Sequence, residues 1–180
     1  MMTILRILAA LVVVLILVAL GGFLLPRDVS VSRSIDIDAP ADAIFPYVNS
    51  MQKTSEWSPW LDRDPDIQLS YGGPDAGVGN TMSWTSDVPD VGSGSQEITA
   101  STENSQVKTA LDFGDMGTAD ATFDLAPEGT GTKVTWSFHT DTGMNPVMRY
   151  FGLMMDGFVG PDYETGLENL KTLVESNASS

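Results

Sequence analysis

Residues 161–176 read PDYETGLENLKTLVES, and the reading of this stretch decides the fold. Tyr163, Leu167, Leu170 and Val174 recur at the spacing of one helical face, with Leu173 at its margin and Glu164, Glu168, Lys171 and Glu175 turned mostly away. Pro161 suits a first helical position, and Asp162 and Glu164 place negative charge near the positive end of the helix dipole. About sixteen residues of helix span roughly 24 Å, enough to cross several strands. Nearly everything from residue 29 to residue 141 alternates as strands do, so this helix is expected to cover one face of a sheet. The expected class is α+β, a sheet gripping a helix, with a pocket between the two.

Working back from the helix, Val29, Val31, Ile35 and Ile37 alternate with serines and Asp36 in a first strand. Arg33 has the buried parity of that strand: it pairs with an acid, lines a cavity, or is turned outward by a bulge, and the bulge is the preferred reading. Ala41 to Val48 offers a short helix with Ile44, Phe45 and Val48 as its apolar face. Further strands follow around Ile67–Tyr71, Met82–Trp84, Gln96–Ala100, Val107–Phe113, Ala119–Leu125 and Val134–Phe138, joined by short hairpin-like returns. The glycine-rich GGPDAGVGN at 72–80 is a turn, since neither Lys-Ser/Thr nor a helix follows it as a phosphate-binding loop requires. Seven strands in this order predict a meandering antiparallel sheet. Thr118, Asp120, Thr122, Asp124, Lys133, Thr135, Ser137 and His139 lie on its solvated side.

The chain has 24 acidic residues against nine basic ones, a net charge of −15, which argues against nucleic acid or an anionic lipid surface as an electrostatic partner. With no cysteine and a single histidine, thiolate chemistry is excluded and a zinc site is not expected. Asp62, Asp64 and Asp66 lack the glycine and distal glutamate of a calcium loop and read as a solvated turn. From Ile7 to Leu25 the chain carries no charge over a length close to the roughly 20 residues that cross a bilayer. That run is read as a membrane anchor within residues 1–26, with a cleaved signal peptide as the competing reading. The expectation is a single-pass protein whose domain, residues 27–180, faces the extracytoplasmic (periplasmic) side.

These elements and several short motifs together resemble the SRPBCC superfamily, the START-like helix-grip proteins, and in particular bacterial polyketide cyclase/dehydrase-like members. The resemblance is carried by Ile37-Asp38-Ala39-Pro40 before Ala43-Ile44-Phe45, by Trp57-Ser58-Pro59-Trp60, and by Gly77-Val78-Gly79 entering a strand with Trp84. Gly92-Ser93-Gly94, Gly131-Thr132-Lys133-Val134-Thr135-Trp136 and Gly160-Pro161-Asp162 complete it, so that it runs over residues 29–176. It implies a curved sheet of about seven strands wrapped around the C-terminal helix over an apolar cavity. Activity does not follow from it, since the superfamily includes carriers, receptors and cyclases. No catalytic motif of an aromatic polyketide cyclase matches residue by residue.

Strand parity places Met82, Trp84, Phe113, Phe123, Trp136 and Phe138 on the inner face. Trp60 is core anchor or pocket wall. The segment 145–160, NPVMRYFGLMMDGFVG, is apolar nearly all round and reads as core filling or as a methionine-rich lid, which adds Met154 and Phe158 to the candidate ligand-binding residues. No catalytic constellation and no cofactor site is visible. His139 reads as a surface histidine, and Tyr71, Tyr150 and Arg33 are the titratable groups that an enzyme could use. Two functions lead: a membrane-tethered binding module for a small hydrophobic molecule or lipid, which is preferred, and a cyclase- or dehydratase-like enzyme acting in the same pocket; a third reading is a collapsed cavity in a domain that presents its surface to a partner.

Overall fold

The computed structural model describes residues 2–178. The polar–apolar alternation read from the sequence becomes seven strands: β1 (Asp28–Ile37), β2 (Gln68–Gly72), β3 (Thr81–Thr85), β4 (Ser93–Thr102), β5 (Gln106–Asp112), β6 (Thr118–Glu128) and β7 (Gly131–Asp141). They form one antiparallel sheet in the order β1-β7-β6-β5-β4-β3-β2, so consecutive strands pair except that β1 closes onto β7. Helices α1 (Met2–Gly22), α2 (Ala41–Val48), α3 (Met51–Thr54), α4 (Pro146–Gly152) and α5 (Met155–Ala178) complete the chain. On α5 the stripe Tyr163, Leu167, Leu170 and Val174 is buried, facing Ile37, Val134 and Trp136 of the common core, while Leu173 is half-buried. In α2 the buried face is Ile44, Phe45 and Val48.

Two local features depart from the sequence expectation, and a third shows how the expected turn is held. First, α5 begins six residues before Pro161, which therefore lies inside the helix. Proline removes one backbone donor and crowds the residue four positions earlier; here that residue is Gly157, around whose Cβ position there is open space. Second, β1 has no bulge at Arg33, which stays in register opposite Trp136 and faces inward. The irregularity lies instead in β4 between Ile98 and Ala100, where Thr99 is extra, so that Ala100 pairs with Lys108 and leaves the inner face. Third, the 72–80 turn is held from inside by Asn80. Its side chain accepts from Met51 N at 2.7 Å and donates to Pro74 O at 2.7 Å, tying α3 to the loop.

The apolar N-terminus also requires a correction. Helix α1 stops at Gly22, and Phe23, Leu24 and Leu25 form a tighter turn whose N–H groups donate to Leu20, Gly21 and Gly22. The helical part of the uncharged run, residues 7–22, is about 24 Å long, short of the roughly 30 Å hydrocarbon layer. No helix among the described residues is long and apolar enough to cross a membrane. The single-pass localisation through residues 7–25, with a periplasmic domain, is therefore withdrawn. Instead α1 is joined to α4: Arg149, buried, donates to Phe23 O, Leu25 O and Gly143 O, and the Tyr150 hydroxyl donates to Val18 O.

Candidate functional site

The register of the sheet sorts its inner face into rows. Arg33, Trp136, Phe123 and Val107 sit opposite one another across β1, β7, β6 and β5. The next row is Val31, Phe138, Ala121, Thr109 and Ile98; beyond it lie Ala119, Leu111, Gln96, Met82 and Tyr71. Small alanines between large aromatics leave room that something else must fill. The first row, which has no alanine, is covered by side chains from outside the sheet. Tyr163 of α5 stacks on Trp136 with ring centroids 3.8 Å apart, and Phe123 stacks on Trp136 at 4.8 Å. Trp57 and Trp60 meet Trp136 edge-on at 5.4 and 5.7 Å. Gly166 makes this approach possible, since a Cβ there would lie 2.9 Å from Trp136 Cζ3. The result is a five-ring cluster between sheet and helix.

Among the nine candidate residues, Trp60, Phe123 and Trp136 belong to this cluster, with Trp60 half-buried at its edge. Met82 and Phe138 are buried beside it. Trp84 and Phe113 form a separate, half-buried edge-to-face pair at 6.0 Å. Met154 and Phe158 are each 55% exposed and do not join the others. Tyr71, offered as a titratable candidate, bonds the Ser55 hydroxyl at 2.6 Å, and Tyr150 is turned to α1, so neither is in the cluster. Tyr163 was legible as a stripe position of α5, but its partner across the sheet was not, and nothing in the sequence singled out Gly166.

Two charged groups border the cluster. Arg33 donates from Nε to Glu164 at 2.6 Å and from Nη1 and Nη2 to Asp156 at 2.8 and 3.2 Å, crossing α5 where Gly160 has no side chain. These hydrogen bonds, that to Asp156 first, hold the guanidinium above its usual range, and the same contact holds the Asp156 carboxyl below the ordinary one. On the other side Asp162 accepts from Trp60 Nε1 at 3.0 Å and pairs with Arg63. Within the cluster, burial pushes the Tyr163 phenol up, so it stays neutral. Between the second and third rows Gln96 Nε2 donates to Thr109 Oγ1 at 2.9 Å.

Open space lies elsewhere. A groove of about 540 Å³ runs over Glu97, Ala110, Asp120 and His139, which face one another in register with the outward parity. A second hollow of about 300 Å³ follows the seam of β1 and α5 beside Arg33, Ile35 and Glu164. Among the described residues, no group of three or more His, Cys, Asp or Glu is arranged to hold a metal ion.

A sheet wrapped on a C-terminal helix over an aromatic interior defines a helix-grip protein. The chain belongs to the family described as "Polyketide cyclase / dehydrase and lipid transport", whose model matches residues 28–175. No curated relative matches it. Among solved structures it is similar to protein CV1439 from Chromobacterium violaceum, with 16% identity and a TM-score of 0.54 over 81% of this chain and 96% of that one. It is also similar to Ms6760 from Mycobacterium smegmatis, with 16% identity, a TM-score of 0.56 and coverage of 83% and 92%. A third likeness is to the di-domain ARO/CYC StfQ of the steffimycin biosynthetic pathway, with 10% identity, a TM-score of 0.62 and coverage of 86% and 53%. At these identities the likeness is one of fold.

Proposed function

We propose that residues 27–180 are a binding module for a small hydrophobic molecule, held between the inner face of the sheet and α5. The observation that carries this reading is the arrangement of the aromatic rings. Five meet between sheet and helix, and the outermost of them, Trp60, is half-buried, as are Trp84 and Phe113 beyond it. A core built for stability alone has no need to leave three large rings at its rim, whereas an apolar guest is sheltered by rings of this kind. The groups that border the cluster favour binding over catalysis. Arg33 is neutralised by two carboxylates, and Tyr163 is kept a neutral phenol, so neither is tuned for proton transfer near neutral pH.

Membership of a family described by both cyclisation and lipid transport leaves a cyclase-like reaction as the second reading. It would have to use Tyr163 as a donor. Titration of the full chain with a neutral apolar fluorophore separates the possibilities. Binding in the grip is expected to quench tryptophan emission and raise the melting temperature, and Trp60→Ala is expected to weaken both. Saturating probe that leaves the melting temperature unchanged, with circular dichroism intact, would mean a closed core and would end both readings.

A further inference from the structure

We infer that the indole N–H of Trp136 is the polar recognition point of the grip, and that the guest is a neutral apolar molecule carrying a hydrogen-bond-accepting oxygen, such as a ketone. This rests on the binding reading above. The chain has four tryptophans. Trp57 Nε1 donates to Tyr47 O at 3.0 Å, Trp60 Nε1 to Asp162 at 3.0 Å and Trp84 Nε1 to Val91 O at 3.3 Å. Trp136 Nε1 is buried and has no acceptor, and it is the one buried side-chain nitrogen or oxygen among the described residues in that condition. Burying a donor unpaired forfeits its hydration with nothing in return, and a phenylalanine would give the same stacking without that cost. The position of the donor gives it a use. Its indole is 5% exposed and is the ring that Phe123, Tyr163, Trp57 and Trp60 all touch, so it stands at the centre of the cluster. The Cζ3 edge of the ring is turned to Gly166 of α5, which leaves the Nε1 edge on the far side of the indole from that helix position. Trp60 is the half-buried ring packed edge-on against Trp136, and it is the one a guest would displace.

The surroundings also set the charge of the guest. An ionised carboxylate in this place would be stripped of water and would need a cation. The nearby guanidinium, Arg33, is already held by Asp156 and Glu164. A carbonyl or ester oxygen accepts from the indole without a counter-charge. The neighbouring Tyr163, kept as a phenol, adds no negative charge to repel it.

The test uses the full chain and an isosteric pair, 2-acetylnaphthalene and 2-isopropenylnaphthalene, in which a carbonyl oxygen is exchanged for a methylene. The affinity ratio of ketone to alkene is measured in the wild type and in Trp136→Phe, so that differences in water solubility cancel. The ratio is expected to fall about tenfold in the variant, the value of one neutral buried hydrogen bond. A second measurement needs no variant: of the four indole ¹⁵N–H signals of the wild type, one is expected to move downfield with the ketone and not with the alkene. Equal ratios, with no indole signal distinguishing the two probes, would overturn this inference and leave the binding reading standing. Failure of both probes to bind would overturn both.

Discussion

The two halves of α5 are held to the domain to different degrees. From Pro161 onward the helix is fixed by a narrow apolar stripe, and Tyr163, Leu167, Leu170 and Val174 are all at most 3% exposed. Before Pro161 the chain is at least as apolar, yet Met154 and Phe158 are each 55% exposed. Only Met155 and Val159 of this half pack against the core, both half-buried, and a polar contact is added to them: Asp156 accepts two hydrogen bonds from Arg33, which lies over Gly160. Burial thus follows the geometry of the face and not the apolar content of the segment. A stripe can be matched to a sheet along its whole length, while a helix apolar all round can turn only one side inward.

This contrast predicts a graded set of effects. The largest is expected for Leu170→Ala, which should cost about 2–5 kcal/mol by denaturant unfolding, the usual range for truncating a fully buried leucine. Phe158→Ala removes a larger side chain but should stay within about 0.5 kcal/mol. A comparable loss from both would mean that the first half of α5 is packed after all. Next comes a pair of glycine substitutions. Ala is the better helix former by about 1 kcal/mol, and Gly157 has open space, so Gly157→Ala should stabilise by up to that amount. At Gly160 the added Cβ would fall 2.1 Å from Arg33 Nη2, so Gly160→Ala should instead destabilise, by about 1–3 kcal/mol. If the two substitutions shift unfolding in the same direction, Arg33 does not cross the helix there.

The smallest effect concerns the ion pair itself, which is exposed and screened by solvent. Asp156 is held below the ordinary carboxylate range, so the stability it contributes is fully present above its unfolded value of about 4 and is lost as pH falls through its lower folded value. Asp156→Asn is expected to lower the melting temperature slightly at neutral pH. The gap to the wild type should close as the pH falls below about 4. A gap that persists at low pH would assign the effect to packing rather than to charge.

Much of this was legible in the chain because period is a local property. Alternation along Val29–Ile37 or Ala119–Leu125, and the stripe of residues 163–174, report which face is buried wherever the partner happens to be. The cap of α4 is equally local: the Asn145 side chain accepts from Val147 N at 3.0 Å. Sequence spacing misleads where the deciding neighbour is distant. Pro161 reads as a helix start because nothing near it says that α5 continues backward over Gly157. Arg33 at an inward position reads as a fault to be removed by a bulge, because its acids lie more than 120 residues later. The apolar run 7–25 reads as one unit because hydropathy does not show the turn at Gly22 or the buried Arg149 that caps it.

The sequence by itself determined the strands along the chain, the grip helix and its buried face, since each follows from spacings within one segment, whereas the closing of β1 onto β7 is a pairing across about a hundred residues. Tertiary structure alone decided that Trp57 and Trp60 from one segment and Tyr163 from another converge on Trp136. It also decided that three of the four indoles find acceptors while the central one does not. The physical reason is that a hydrogen bond or a ring contact depends on where a second group lies in space. No periodicity along the chain encodes that position.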